Sequence, residues 1–219
     1  IRALTVITTS GLISGTAHSF AADGDELYVP EGIYWGSSNG ALWSTPLNSI
    51  SVTLAGQAIT AAGITTQTGD GFSLTITETG SLISFADSPS ITVLYFNGGT
   101  GAEQTLVNHG LISIEKGTAI VSSGGTTVTN TGQISAATPI FFFNGSGDYL
   151  VNSGTIAANA YEDVNQTERF NNAVIVENTD SRVTNLAGGV LSAVGTEGAG
   201  LRAAGSADGT VILNSGEIT

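Results

Sequence analysis

Apolar and polar residues alternate in short segments that recur along the second half of the chain. In the pattern apolar-x-Asn-x-Gly-x-apolar, Asn108, Asn130 and Asn152 are spaced 22 residues apart, and Asn185 and Asn214 follow after 33 and 29 more. An alternation with a period of two predicts β-strands. Gly permits a sharp bend between them, and Asn can bond nearby backbone groups at that bend. The sequence therefore predicts a repeated strand-bend-strand unit.

The repeats also predict how the units stack. The residue two positions before each Asn is apolar, so these residues should form one inward-facing column: Leu106, Val128, Leu150, Val183 and Ile212. Asparagines stacked in successive units would bond one another in a ladder. A degenerate copy at residues 76–82 puts Glu78 in the Asn position.

A second apolar segment lies between copies, as in Val93–Phe96 and Phe141–Phe143, so that each period contains about three short strands. Stacking such periods about 4.8 Å apart gives an all-β, right-handed parallel β-helix, or β-solenoid, with about 22 residues per three-strand coil. An antiparallel sandwich or barrel would show hairpin signals instead, and leucine-rich repeats would need helical or leucine-rich segments.

The repeat also suggests boundaries. Residues 51–219 are assigned to the solenoid. Residues 1–50 contain both Trp residues and do not fit the repeat, so we expect them to form an N-terminal cap over an exposed strand edge. The interval between Asn152 and Asn185 contains about 11 residues more than the 22-residue period, which predicts a protruding loop near residues 160–170.

Composition excludes several classes of partner and cofactor. Five Lys and Arg against 18 Asp and Glu give a net charge of −13, which would repel nucleic acid and anionic lipid. With no Cys, disulfides, thiolate metal sites and Cys nucleophiles are excluded. No apolar run approaches the 18 residues of a transmembrane helix.

The V-x-N-x-G-x-I pattern, over about residues 74–219, resembles the repeats of bacterial secreted β-helix proteins. These are autotransporter passenger domains and the N-terminal β-solenoid regions of large RTX-type secreted proteins. The calcium-binding nonapeptide of the RTX proteins, G-G-x-G-x-D, is absent, because residues 98–103 lack its Asp. The resemblance implies an extracellular or cell-surface structural role. We therefore expect a non-enzymatic structural or adhesive module, or a building block of a surface fibre, that associates with itself or with another cell-surface protein or glycan.

The main alternative is a polysaccharide-acting β-helix enzyme such as a lyase, glycosidase or epimerase. Such chemistry needs carboxylates converging on one face, with Arg or Lys beside them. The acidic residues of the repeat region are scattered over different coil positions, so we expect no catalytic site. Ice binding is a third class, but the Thr row at 126, 127 and 129 is broken in the next copy.

Cofactor candidates are few. His109 occupies a variable bend position, and His18 has no second His near it, so neither predicts a metal site. Calcium stays open as a weak alternative at two acidic segments: Asp23–Glu26, and the 160–170 loop with Glu162, Asp163 and Glu168. We otherwise expect no cofactor.

The residues nearest to function are expected in the second apolar segment. Arg202 lies between Leu201 and Ala203 and should face water. If the earlier copies of the segment follow the same alternation, eight residues should face inward: Leu94, Phe96, Ala119, Val121, Phe141, Phe143, Val174 and Val176. The alternation predicts an outward interaction stripe of Tyr95, Ile120, Phe142, Ile175 and Arg202. An exposed apolar stripe is typical of an association surface. The alternatives are the opposite parity or an insertion that covers the stripe.

Overall fold

The structure is a computed structural model. It describes residues 2–15, 17–43, 45–61, 64–67 (as a strand only), 69–85, 88, 90–97, 103–159, 171–195 and 198–219. The predicted loop at 160–170 lies outside the described residues. Within them, no helix has the length and apolar character needed to cross a membrane.

The described residues form 24 short strands and no helix. In chain order the strands are β1 (Leu4–Val6), β2 (Gly11–Ile13), β3 (Glu26–Val29), β4 (Tyr34–Ser37), β5 (Ser51–Leu54), β6 (Gln57–Thr60), β7 (Ile64–Gln67), β8 (Ser73–Ile76), β9 (Ser81–Ser84), β10 (Thr92–Phe96), β11 (Gln104–Asn108), β12 (Leu111–Ile114), β13 (Thr118–Ser122), β14 (Thr126–Asn130), β15 (Gln133–Ala136), β16 (Thr138–Phe142), β17 (Tyr149–Asn152), β18 (Thr155–Ala158), β19 (Asn172–Val176), β20 (Arg182–Asn185), β21 (Val190–Ala193), β22 (Ala199–Ala203), β23 (Val211–Asn214) and β24 (Glu217–Ile218).

The strands assemble into three parallel sheets, because each coil from β7 onward adds one strand to each sheet and the earlier coils add strands to sheets 1 and 2. Sheet 1 has the order β1-β3-β5-β8-β11-β14-β17-β20-β23, and sheet 2 has the order β2-β4-β6-β9-β12-β15-β18-β21-β24. Sheet 3 has the order β7-β10-β13-β16-β19-β22. The prediction of an all-β, right-handed parallel β-helix is confirmed.

The predicted inward column stacks in register. Leu106 pairs with Val128, and the pairing continues through Leu150 and Val183 to Ile212. The first four side chains are at most 1% exposed. Ile212 is 40% exposed because it lies in the last coil, where only the Val183 side is covered.

Aromatic rings fill the wider part of the interior. Phe72 lies between Trp43 and Phe96, with ring centroids 6.4 and 6.1 Å away. Phe142 occupies the same sheet position as Phe96, two strands further along, and both are fully buried. Trp43, Phe72, Phe96 and Phe142 are among the largest fully buried side chains of the described residues.

Residues 1–50 continue the solenoid and are not a separate cap. Strand β1 pairs with β3 and β3 with β5 in sheet 1, while β2, β4 and β6 follow one another in sheet 2. Among the residues described here, the third side of these coils has no named strand and contains a parallel bridge between His18 and Trp43. The boundary expected at residue 50 therefore reflects the missing third strand and the missing Asn-x-Gly bend, not a change of fold.

The degenerate repeat also has a different register from the expected one. Asn108 pairs with Ile76, not with Glu78, and Leu111 pairs with Ser81. The bend of this coil contains residues 77–80, two more than the bend of residues 109–110, so counting back from Gly80 misplaces the Asn position. Ile76 is fully buried there.

Candidate functional site

Five asparagines form a continuous ladder inside the bend between sheets 1 and 2. Each Nδ2 donates to the Oδ1 of the next Asn, at 2.7 Å from Asn108 to Asn130, 2.7 Å to Asn152, 2.8 Å to Asn185 and 2.9 Å to Asn214. Each Nδ2 also donates to the carbonyl of the Gly that closes its own bend. The expected ladder is confirmed, and it ties the bends of five consecutive coils together.

The ladder has a defined first member. The Oδ1 of Asn108 is buried without a hydrogen-bond donor. The position before it in the sheet is held by Ile76, whose side chain has nothing to donate. All the hydrogen bonds of the ladder therefore run in one direction, from Nδ2 to the Oδ1 of the next coil, and Asn108 at the start keeps an open acceptor.

The outward column of sheet 3 differs from the predicted stripe at two of its five positions. Leu94, Ile120, Ile140 and Val174 pair in one inward column, and Phe142 is in another, so Ile120 and Phe142 are core residues with no exposed surface. The outward column in the structure is Tyr95, Val121, Phe141, Ile175 and Arg202. Of the residues expected inside, Val121, Phe141 and Phe143 belong outside.

The error comes from the unequal lengths of the bends that precede sheet 3. Three residues separate β12 from β13, whereas Ala137 alone separates β15 from β16. The apolar triplets cannot be aligned by their centres, and a one-residue slip reverses every side chain. Tyr95, Ile175 and Arg202 share one column with Val121 and Phe141, although Ile175 is buried in it.

The outward column is only partly accessible. Val121 and Ile175 are 8% and 4% exposed. Phe141 is half-buried, and its ring lies against that of Phe143, which follows β16, with centroids 5.2 Å apart at 46°. Phe143 is 38% exposed. This aromatic pair therefore presents apolar surface to solvent beside the outward column.

A buried polar cluster lies at the corner between sheets 3 and 1, and the sequence analysis did not predict it. Asp148, fully buried, accepts hydrogen bonds from the Ser122 hydroxyl at 2.7 Å, the Thr126 backbone N–H at 2.8 Å and the Asn178 Nδ2 at 2.6 Å. The Ser181 hydroxyl donates to the Asn178 Oδ1 at 2.7 Å and accepts from the Asp148 backbone N–H at 3.2 Å. We call these five residues the Asp148 cluster.

Removal from water dominates the electrostatics of this cluster. Burial raises the pKa of Asp148 to about 6, although the hydrogen bonds from Thr126, Ser122 and Asn178 act in the opposite direction. Alternation could have revealed the site, since Asp148 lies two residues before the core residue Leu150 and therefore on the inward side.

The other candidate residues bind within the fold. His109 is exposed, as expected, and its Nδ1 lies 2.7 Å from the Thr131 hydroxyl. Asp25 accepts from the backbone N–H groups of Ala3, Ala21 and Ala22, each at 3.0 Å, and these bonds hold its pKa below the usual range. Burial lowers the pKa of His18, against the effect of the nearby Asp25 carboxylate. In the described part of the chain, no three His, Asp or Glu side chains come together as a metal site.

Charged side chains are sparse on the sheets. In the described strands, sheet 1 carries Glu26 and Arg182, sheet 2 carries Glu217 and sheet 3 carries Arg202. Strands β3 and β20 are six positions apart in sheet 1, which corresponds to about 29 Å. No two strand carboxylates share a face in the described residues, whereas a glycosidase holds two of them about 5–10 Å apart.

The family of the chain is defined by comparison with known proteins. A family described as "BigA third pectate lyase-like domain" matches residues 65–219, well over half of the chain. The chain therefore belongs to this family of β-helix domains. The searches of curated proteins and of solved structures gave no match.

Proposed function

We propose that this chain is a non-enzymatic structural or adhesive β-solenoid module of an extracellular or cell-surface bacterial protein. It acts as a rigid spacer or as a unit of a surface fibre, and its partner is a second copy or another cell-surface protein or glycan. The distribution of charge carries the proposal, because the described strands provide no pair of carboxylates on one face. The family name and the acidic, cysteine-free composition support the surface location.

The polar side chains of the fold also favour a structural role. The Asn ladder and the Asp148 cluster bond one coil to the next, and both are buried. A molecule built in this way resists bending and separation of its coils, since each coil is bonded to its neighbours in three sheets.

The alternative is a polysaccharide-acting enzyme, which the words "pectate lyase-like" in the family description favour. The two functions are separated by incubating the purified chain with polygalacturonate and other polysaccharides. Formation of unsaturated sugars and of reducing ends is then followed. We expect no turnover above the buffer control. Sustained turnover that follows the protein concentration would refute the structural role.

Within the proposed role, the contact residues are the aromatic pair Phe141 and Phe143. Phe143→Glu should leave the melting temperature unchanged and abolish assembly or cell binding, because a charge at an apolar contact must be desolvated. Tyr149→Glu is the matched control, since Tyr149 is 46% exposed on sheet 1 and should retain both properties. Assembly is measured by sedimentation velocity and electron microscopy, and adhesion by flow cytometry.

The buried neighbour gives the internal comparison. Phe142→Glu should unfold the chain, because Phe142 is fully buried between Ser122 and Val176. A parent protein that neither assembles nor binds cells, or a Phe143→Glu variant that does so normally, would contradict this assignment.

A further inference from the structure

The Asp148 cluster joins three consecutive turns between sheets 3 and 1. Ser122 and Thr126 lie in the first turn, Asp148 ends the second, and Asn178 and Ser181 lie in the third. All five side chains are at most 1% exposed. Within the cluster, only the Asp148 carboxyl group joins the two outer turns. It bonds the Ser122 hydroxyl of the first turn and the Asn178 amide of the third.

The hydrogen bonds of this cluster can be satisfied in two ways. With Asp148 ionised, the Asn178 Nδ2 donates to Asp148 Oδ2 and the Ser181 hydroxyl donates to Asn178 Oδ1. With a proton on Asp148 Oδ2, rotation of the Asn178 amide by 180° lets its Oδ1 accept that proton and its Nδ2 donate to Ser181 Oγ. The Ser181 hydroxyl can then turn to the Thr179 carbonyl, which is already 3.5 Å away.

Both arrangements keep every contact of the cluster. A side-chain amide and a hydroxyl can each reverse donor and acceptor roles without moving their heavy atoms appreciably. The two states therefore differ by one proton taken from solvent, by the direction of the Asp148–Asn178 and Asn178–Ser181 hydrogen bonds, and by the acceptor of the Ser181 hydroxyl.

We propose that the Asp148 cluster is a proton-operated latch, in which uptake of one proton by Asp148 reverses its hydrogen bonds and strengthens the attachment of three successive coils in mildly acidic surroundings. Asp148 is the proton-binding group, and Asn178 is the element with two states. The inference is independent of the proposed function, because it concerns only the response of the fold to pH.

Charged groups on the surrounding segments do not neutralise the carboxylate. Arg182 begins β20, but its Nε donates to Thr184 on the outer face, and Tyr149 is largely exposed. The segments packed around the cluster carry five titratable or charged side chains: Tyr149, Glu177, Asp180, Arg182 and Asp208. None of these side chains takes part in the hydrogen bonds of the cluster. The ionised form therefore has donors but no counter-charge.

The direction of the pH dependence follows from burial. The folded chain binds the proton with a pKa of about 6, whereas an unfolded Asp titrates near 3.9. The folded state is therefore favoured by this group at acid pH, and that advantage is lost as the pH rises through about 6. Most carboxylates that are hydrogen-bonded in a folded protein give the opposite trend.

The test compares urea unfolding of the parent and of Asp148→Asn between pH 4 and 7.5. Asn mimics the protonated carboxyl group and removes its titration. Relative to the variant, the unfolding equilibrium constant of the parent should rise about 50-fold over this range. The matched control is Asp25→Asn, which removes a carboxylate whose pKa is lowered. Because that carboxylate changes its protonation mainly below pH 4, the same ratio should stay nearly constant over this range.

A measurement on the parent protein covers the case in which Asp148→Asn fails to fold. The carbon NMR signal of the Asp148 carboxyl group should titrate with a midpoint near pH 6, and the Asn178 side-chain amide protons should shift with the same midpoint. A carboxyl signal that does not titrate between pH 4 and 8 would overturn the latch. The latch would also be overturned if the Asp148→Asn variant folds and the ratio of the parent's unfolding constant to that of the variant does not change with pH.

Discussion

Interrupting the Asn ladder in its middle should cost much more stability than shortening it at its end. Asn152→Ile removes the bonds to Asn130 and Asn185, at 2.7 and 2.8 Å, and leaves the Asn185 Oδ1 without its donor in the core. Asn108→Ile removes one ladder bond and leaves the Asn130 Oδ1 open, but it also removes the open acceptor that Asn108 has now. Both substitutions remove the bond to the Gly carbonyl of the bend, so that bond does not affect the comparison. The chain itself already has Ile76 next to the ladder's first member.

The magnitudes follow from this count. A buried hydrogen bond contributes about 0.5–1.5 kcal/mol, and a newly unsatisfied buried group costs about 1–3 kcal/mol. On the ladder bonds, Asn152→Ile should therefore lower the free energy of unfolding by about 2–6 kcal/mol, and Asn108→Ile by about 0.5–1.5 kcal/mol. Urea unfolding at pH 7, followed by circular dichroism and with the m-value checked, measures both. Equal costs at the two positions would show that the ladder does not stabilise the solenoid as a continuous chain.

Two further substitutions test the packing of the coils. Val128→Asp places an unpaired charge in the inward column, which costs several kcal/mol. Thermal unfolding of this variant should therefore lose its cooperative transition. A melting curve like that of the parent would refute the register. Gly132→Ala should lower the free energy of unfolding by about 2–3 kcal/mol, because a Cβ there would lie 2.2 Å from the Gly110 carbonyl oxygen. Gly205 has open space around it, so Gly205→Ala should melt like the parent.

The sequence was most informative where a bend carries both Asn and Gly. The Asn and Gly mark the same point of each coil, so the apolar residue before them, such as Leu150, could be assigned to the core without knowing the lengths of the other bends. The bend of residues 77–80 has Gly80 but no Asn, and there the expected Asn position was wrong by two residues.

The third sheet has no such mark. Its strands follow bends of one to many residues, and apolar residues occupy adjacent positions in them, as at residues 140–142, so the phase of Phe142 could not be read from alternation alone. Only the pairing of Phe142 with Ser122 and Val176 fixes it. Side-chain contact across coils, which is not local in sequence, decides the inward and outward faces here.

The Asp148 cluster shows a different limit. In the sequence, Asp148 is one of several scattered acidic residues, and charged or hydroxyl side chains are seldom fully buried without partners. Here the partners come from turns that lie 22–33 residues away along the chain, including Thr126 and Ser181. A buried carboxyl group can be found from a repeat only by applying the strand alternation to polar positions as strictly as to apolar ones.

The central claim is that successive coils stack in register along one axis, and spin-label distances along sheet 1 test it most directly. Thr184, Thr75, Thr53 and Tyr28 lie in one outward column, and the chain has no Cys to compete for the label. With one label at Thr184→Cys and the second moved from Thr75→Cys to Thr53→Cys and Tyr28→Cys, we expect mean distances of about 19, 24 and 29 Å. An increase of about 4.8 Å per coil is the predicted result. Distances that do not grow with the number of coils between the labels would contradict the fold and every assignment built on it.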